Sequence, residues 1–204
     1  VYRAGVAFLI IGAAIGGYFV FTDGFTIAVI LGFAILSIYF YSTKIVDSGL
    51  GEFFVAVKGS MIVIGTVFIQ SGEITFESIL AGIIVGSLSS LVLFIASFPD
   101  HDADKSKGRK TLVIVVGKQN AVKLFWIFPL ISYCAILIGV ALELFPIISL
   151  ISFVGIPLMI KSGFGLMKNY DSVDELFPYM SSTLMFSRIT GILFVISFLI
   201  PLLQ

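Results

Sequence analysis

Asp100, Asp102 and Asp104 alternate in the stretch FPDHDADKSKGRKTL, residues 98–112, and Lys105, Lys107, Arg109 and Lys110 follow them. On a helix, residues four apart share a face, so Asp100 and Asp104 project together. Asp102 points elsewhere, though it could still reach a shared ion. Two carboxylates on one face suit a hard divalent cation. Mg²⁺ takes one or two carboxylates, keeps waters and completes its shell with substrate phosphate oxygens. Bases behind the acids can bind the same phosphates directly. The chemistry on offer is a metal–diphosphate site. The same residues also read as a solvated connection whose bases set topology, and spacing alone leaves both readings open. His101, the only histidine, reads as a surface residue. The chain has no Ser-His-Asp arrangement, CxxC, Walker loop or GxGxxG.

The elements around this stretch are apolar. Of 204 residues, 59% are hydrophobic and 12% charged, about half the charge of a soluble domain. So little polar surface cannot cover a water-exposed globule. The composition indicates an all-α, polytopic transmembrane helical bundle. Net charge is zero, and nothing in it calls for a nucleic-acid partner. Seven apolar runs can span or nearly span about 30 Å of hydrocarbon. They are Val6–Phe21, Phe25–Tyr41, Phe53–Ile69, Ile79–Phe98, Ala121–Leu142, Phe145–Ile160 and Met180–Leu203. Helices are the expected form, because open sheets cannot span lipid and no barrel-like alternation is present. Gly12 and Gly16 make a small-xxx-small pair suited to close helix approach. Cys134, inside an apolar run, reads as a buried structural thiol.

The seven-helix arrangement puts all twelve Lys and Arg residues on or nearest one side. The positive-inside rule makes that side cytoplasmic, so the Asp100–Asp104 stretch is expected on the cytoplasmic face. Lys58 and Arg188 lie inside apolar runs. Charges so placed usually face a protein interior or a watery cavity, or snorkel to the headgroups. Facing inward, both would converge on a cavity capped by Asp100 and Asp104.

DHDADKSKGRKTLVIVVGK resembles the second Asp-rich motif of the UbiA superfamily of intramembrane prenyltransferases. Asp100 and Asp104 fall on its two aspartates, and Gly108, Arg109, Lys110, Thr111 and Leu112 follow at the family's spacing. GLGEFFVAVKGSMIVIGTVFIQSGEIT, residues 49–75, is similar to the GLGE-type segment of the menaquinone-branch members, which prenylate 1,4-dihydroxy-2-naphthoate. Pro99 departs from that branch, whose members tend to carry Arg there. The resemblance implies a nine-helix fold around a central cavity, of which this chain supplies the last seven helices. It implies one transmembrane domain over residues 1–204, a fragment lacking the first two helices and the first Asp-rich motif.

The implied reaction transfers an isoprenyl group from a prenyl diphosphate to an aromatic or other lipid-precursor acceptor within the bilayer, releasing diphosphate. Asp100 and Asp104 would hold Mg²⁺ and be the catalytic pair. Lys58, Lys105, Arg109 and Arg188 would contact the diphosphate. Tyr41 and Lys44, spaced YxxK where relatives carry YxxxK, would join them. Glu52 would orient or deprotonate a phenolic acceptor, although helix N-capping accounts for it equally. Other acceptors of the superfamily are 4-hydroxybenzoate, haem, a chlorophyll precursor and a glycerol phosphate lipid. The competing class is a transporter or channel for an anion. Against it stand the lack of an internal repeat and of paired broken helices. A noncatalytic membrane subunit is a third class.

Overall fold

The computed structural model describes residues 2–40 and 48–200; Tyr41 and Lys44 lie outside them. The described residues form helices and the turns that join them, without strands. The helices are α1 (Tyr2–Asp23), α2 (Phe25–Phe40), α3 (Gly51–Ser71), α4 (Phe76–Ala96), α5 (His101–Ser106), α6 (Leu112–Val116), α7 (Lys118–Leu124), α8 (Ile127–Ala141), α9 (Ile156–Asn169) and α10 (Val173–Leu199). A 3₁₀ segment, Ile147–Gly155, runs directly into α9. Among the described residues, six helical stretches are long and apolar enough to cross a membrane, and Phe25–Ser37 is a shorter seventh. Each of the seven apolar runs is thus helical along most of its described residues. The last begins earlier than its apolar run: α10 starts at Val173, continues through Pro178 and carries Asp174 and Glu175 in its first turn, where acids suit the positive end of the helix dipole.

α4 is the central element, packed on α3, α8 and α10. Ile84, Leu91 and Phe94 from α4 join Ile136 from α8 and Phe186 from α10 in a fully buried core. Cys134 of α8, expected to be buried, is instead exposed, because the face of α8 that packs on the core carries Ser132, Tyr133, Ala135 and Ile136. Small residues let α3 and α4 touch along their backbones. A Cβ on Gly59 would come 2.9 Å from the Gly86 Cα, and one on Gly86 would overlap the Ala56 carbonyl. Hydroxyls close the seam: Ser60 Oγ donates to the Gly82 carbonyl at 2.9 Å, and Ser90 Oγ to the Glu52 carbonyl at 2.6 Å. Of the Gly12–Gly16 pair only Gly16 serves a contact, receiving Leu31 of α2, while Gly12 meets open space.

The sixth apolar run is not one α-helix. Its buried small residues, Ser149, Ser152 and Gly155, recur every three positions. Three residues per turn is the 3₁₀ period, so all three fall on one line. That line packs against α10, with Ser149 and Ser197 hydroxyls 2.7 Å apart. Beyond Gly155 the buried positions, Ser162, Gly163, Gly165 and Leu166, return to α-helical spacing, and Pro157 sits in the first turn of α9, where its missing N–H is harmless.

Candidate active site at the α4–α8 connection

The polar stretch between α4 and α8 is folded. Pro99 has no N–H, and its ring would clash with the Ile95 carbonyl if α4 continued. The chain turns over Ser97–Asp100 and restarts as α5, with Asp104 N–H donating to the Asp100 carbonyl at 2.8 Å. α5 ends in a Schellman turn. Gly108 takes φ +75°, its N–H donates to the Lys105 carbonyl, and the Arg109 N–H donates to the Asp104 carbonyl at 3.0 Å. Only a residue at ease in the left-handed region closes such a turn cheaply.

That turn folds Arg109 back over the helix it has just left. Its Nη1 donates to Asp104 Oδ1 at 2.9 Å. The Asp104 side chain is 13% exposed, whereas Asp102 is 87% exposed. His101 Nδ1 lies 2.7 Å from Asp102 Oδ1. This hydrogen bond, followed by the positive charge of Lys118, holds the Asp102 carboxyl below the usual carboxylate range. Asp102 is therefore turned to water, and Asp104 is held against Arg109. Asp100, exposed, stands one turn before Asp104, and Lys105 is exposed beside it.

Among the described residues no three His, Cys, Asp or Glu side chains gather as a metal cluster. The donor set is the pair Asp100 and Asp104. Asp104 spends Oδ1 on Arg109 and keeps Oδ2 without a hydrogen bond. Two carboxylates fit Mg²⁺, which needs no more from protein when phosphate oxygens complete its shell.

Beneath the connection lies an apolar cavity of about 570 Å³ between α3, α4 and α8, with Leu112 at its edge. Lys110 and Val115 lie against Gly49, just before α3, so the connection sits over the same end of the cavity as Glu52. Glu52 lines the wall, is 4% exposed, and its Oε2 has no hydrogen-bond partner. The Thr111 hydroxyl, beside Leu112, is likewise buried and unpartnered. Buried polar atoms are nearly always paired, so the orphaned Glu52 oxygen in the cavity wall marks a place for a polar ligand group. Ser60 and Ser87 are the remaining polar wall residues.

The connection thus pairs Asp104 with Arg109, keeps Asp100 one turn away on the same short stretch, and meets Gly49, three residues before Glu52, through Lys110 and Val115. Lys58 and Arg188 are not brought to this end of the cavity. At 3.6 residues per turn Lys58 lies about 240° round α3 from Glu52. That side packs on α2, with Phe54 stacked on Phe33 at 6.2 Å and Gly65 against Ile30. Lys58 is exposed and does not line the cavity. Arg188 is exposed on the α10 face that also carries Met185 and Ile192. Neither forms an ion pair among the described residues. Residue reasoning gave no role to Thr111, although it stands in the GRKTL run. The apolar wall residues Met61, Ile64, Ile83 and Ile131 carry no sequence signal that separates them from other membrane-helix residues.

The chain matches the model of the UbiA prenyltransferase family over residues 1–200. It is 30% identical over 157 residues to a 1,4-dihydroxy-2-naphthoate octaprenyltransferase of Escherichia coli (strain K12), a match covering 72% of this chain and 48% of the relative. Over 75 residues it is 37% identical to a 1,4-dihydroxy-2-naphthoate octaprenyltransferase of Bacillus subtilis (strain 168), covering 36% of this chain and 24% of that relative. The matched part is thus half or less of each relative's length. No solved structure matches.

Proposed function

The chain belongs to the UbiA prenyltransferase family, and we propose that it serves an intramembrane enzyme activity that moves an isoprenyl group from a prenyl diphosphate to a hydroxyaromatic acceptor and releases diphosphate. The names of both relatives make 1,4-dihydroxy-2-naphthoate the first acceptor to test and a long prenyl chain the first donor. The observation that carries the reading is the α5 ledge, acids and a folded-back arginine over an apolar cavity with a buried carboxyl at its mouth. The twelve bases, all on or nearest one side of the seven-helix arrangement, support a cytoplasmic position for this ledge.

Arg109, Lys105 and Lys110 bind the diphosphate oxygens, with Arg109 already oriented by Asp104. Asp100 and Asp104 would hold Mg²⁺, which when bound stabilises the negative charge that grows on the departing diphosphate. The apolar wall keeps water from the allylic cation left behind. Glu52 accepts a hydrogen bond from an acceptor hydroxyl and takes its proton as the aromatic carbon attacks. Lys58 and Arg188, both away from this mouth, and Tyr41 and Lys44, outside the described residues, are not needed for these steps.

The test is mass spectrometry of products from the full-length protein in membranes, offered prenyl diphosphates and several acceptors with and without Mg²⁺. A prenylated dihydroxynaphthoate formed only with the metal is expected. Absence of any prenylated product with every acceptor would sink the proposal.

A further inference from the structure

Gly163, Phe164 and Gly165 form a GFG run toward the Asn169 end of α9. The two glycines admit aromatic rings. A Cβ on Gly163 would overlap the Trp126 ring, and one on Gly165 the Tyr179 ring. Phe164 between them is exposed, its ring edge-on to Trp126 at 5.6 Å. Nearby, Lys118 Nζ lies 4.0 Å from Asp171 Oδ1. Trp126 follows Lys118 by eight residues and Gly163 precedes Asp171 by eight, so both contacts belong to one antiparallel register. Helix rise gives the depth of this level. The nine residues of the 3₁₀ segment rise about 18 Å, and α9 as far as Gly163 rises about 12 Å more. Together they match the about 30 Å of a hydrocarbon core. The Trp126–Gly163 level therefore stands where acyl chains meet headgroups, the depth at which Trp and Tyr rings are favoured.

Three lysines surround that level. Phe125 and Trp126 keep right-handed helical angles, so Lys123, three residues before Trp126, shares its face. Lys161 lies three residues before Phe164 and Lys168 four after it, on the same face of α9. At 1.5 Å per residue, Lys123 and Lys168 lie about 4 to 8 Å to the water side of the boundary. Lys161 lies about 3 Å to the hydrocarbon side, a gap its own stem can span. All three are exposed, and none forms an ion pair among the described residues. The acids that follow α9 stand apart from them: Asp171 faces Lys118, and Asp174 and Glu175 lie a turn or more to the water side of Tyr179. We propose that the outer surface shared by α7 and α9 binds an anionic phospholipid, its headgroup held by Lys123, Lys161 and Lys168 and its upper acyl chain laid against Trp126 and Phe164. The occupant follows from charge and depth. Three unpaired ammonium groups at headgroup level favour negative charge confined to that level, and the aromatic pair beneath them favours hydrocarbon. An anionic lipid supplies both, a soluble phosphate only the first and a zwitterionic lipid only the second. The inference does not depend on the prenyl-transfer reading.

Trp126 reports on the site. The full-length protein is placed in phosphatidylcholine vesicles containing a small fraction of lipid brominated in the upper acyl chain, either phosphatidylglycerol or phosphatidylcholine. The emission lost in Trp126→Phe identifies the share that belongs to Trp126. Brominated phosphatidylglycerol should quench that share at a fraction about fivefold or more lower than brominated phosphatidylcholine, the preference that a single lysine beside anionic lipid already supplies. Equal quenching by the two lipids would overturn the proposal. Lys123→Gln, Lys161→Gln and Lys168→Gln together should bring the two lipids level, with quenching by brominated phosphatidylcholine unchanged as the sign that the surface is intact. A preference for phosphatidylglycerol that survives these substitutions would place the binding elsewhere and overturn the assignment. Soluble glycerol phosphate should leave the quenching of the unsubstituted protein as it is; displacement of phosphatidylglycerol by it would show a site for free phosphate and discard the lipid.

Discussion

Among single residues, Glu52 and Asp104 have the most to lose. A buried carboxyl oxygen without a partner is costly, typically by about 1–3 kcal/mol. Glu52→Gln keeps the shape and removes the charge, so it should raise thermal stability by about 1 kcal/mol while lowering turnover about a hundredfold through loss of the base. Melting curves and product rates on one preparation check both directions, and a variant that is less stable and fully active would show that Glu52 serves packing alone. Asp104→Asn should lower transfer by about a hundredfold or more; wild-type rates would remove Asp104 from the site. That Asp100 and Asp104 stand one turn apart on a helix was legible from spacing alone, because a helix fixes which residues share a face. The partnership of Asp104 with Arg109 was not, because it depends on a turn that reverses the chain between them.

The helices and their ends explain that turn. Gly108 is the residue whose backbone makes α5 short and Arg109 available. Gly108→Ala should cost about 1–2 kcal/mol locally, loosen the Arg109–Asp104 contact and raise KM for the diphosphate donor; an unaltered KM would show that the ledge tolerates a looser turn. At the other end of the molecule the connection after α8 makes the same kind of turn with Glu143 at φ +57°. Glu143→Gly should therefore stabilise the protein by about 1 kcal/mol, read as a higher Tm at undiminished activity. Helix positions could be read from apolar run length, since hydrocarbon thickness fixes them. The 3₁₀ segment could not be read so directly: the Ser149, Ser152, Gly155 spacing suits 3₁₀, but an α-helix also tolerates it until α10 packs against the line.

For the whole molecule, the one-sided distribution of bases makes a topological prediction. With Cys134→Ser as background, a cysteine at Ser106 on α5 should resist membrane-impermeant maleimide in intact cells and react after permeabilisation. A cysteine at Ser71, at the far end of α3, should react in intact cells. Equal accessibility of the two would overturn the cytoplasmic placement. The sequence by itself determined that the chain is a bundle of membrane-spanning helices, roughly where each lies, and that its bases gather on or nearest one side. Those properties follow from each segment's own free energy in hydrocarbon or water, and no distant contact is needed to set them. Only the tertiary structure decided which face of each helix looks into the cavity, and therefore that Glu52 is buried at its mouth while Lys58, six residues on, turns toward the α2 side. The physical reason is the seam between α3 and α4. Gly59, Gly82 and Gly86 allow two backbones to meet only in one rotation, and that rotation depends on two helices together.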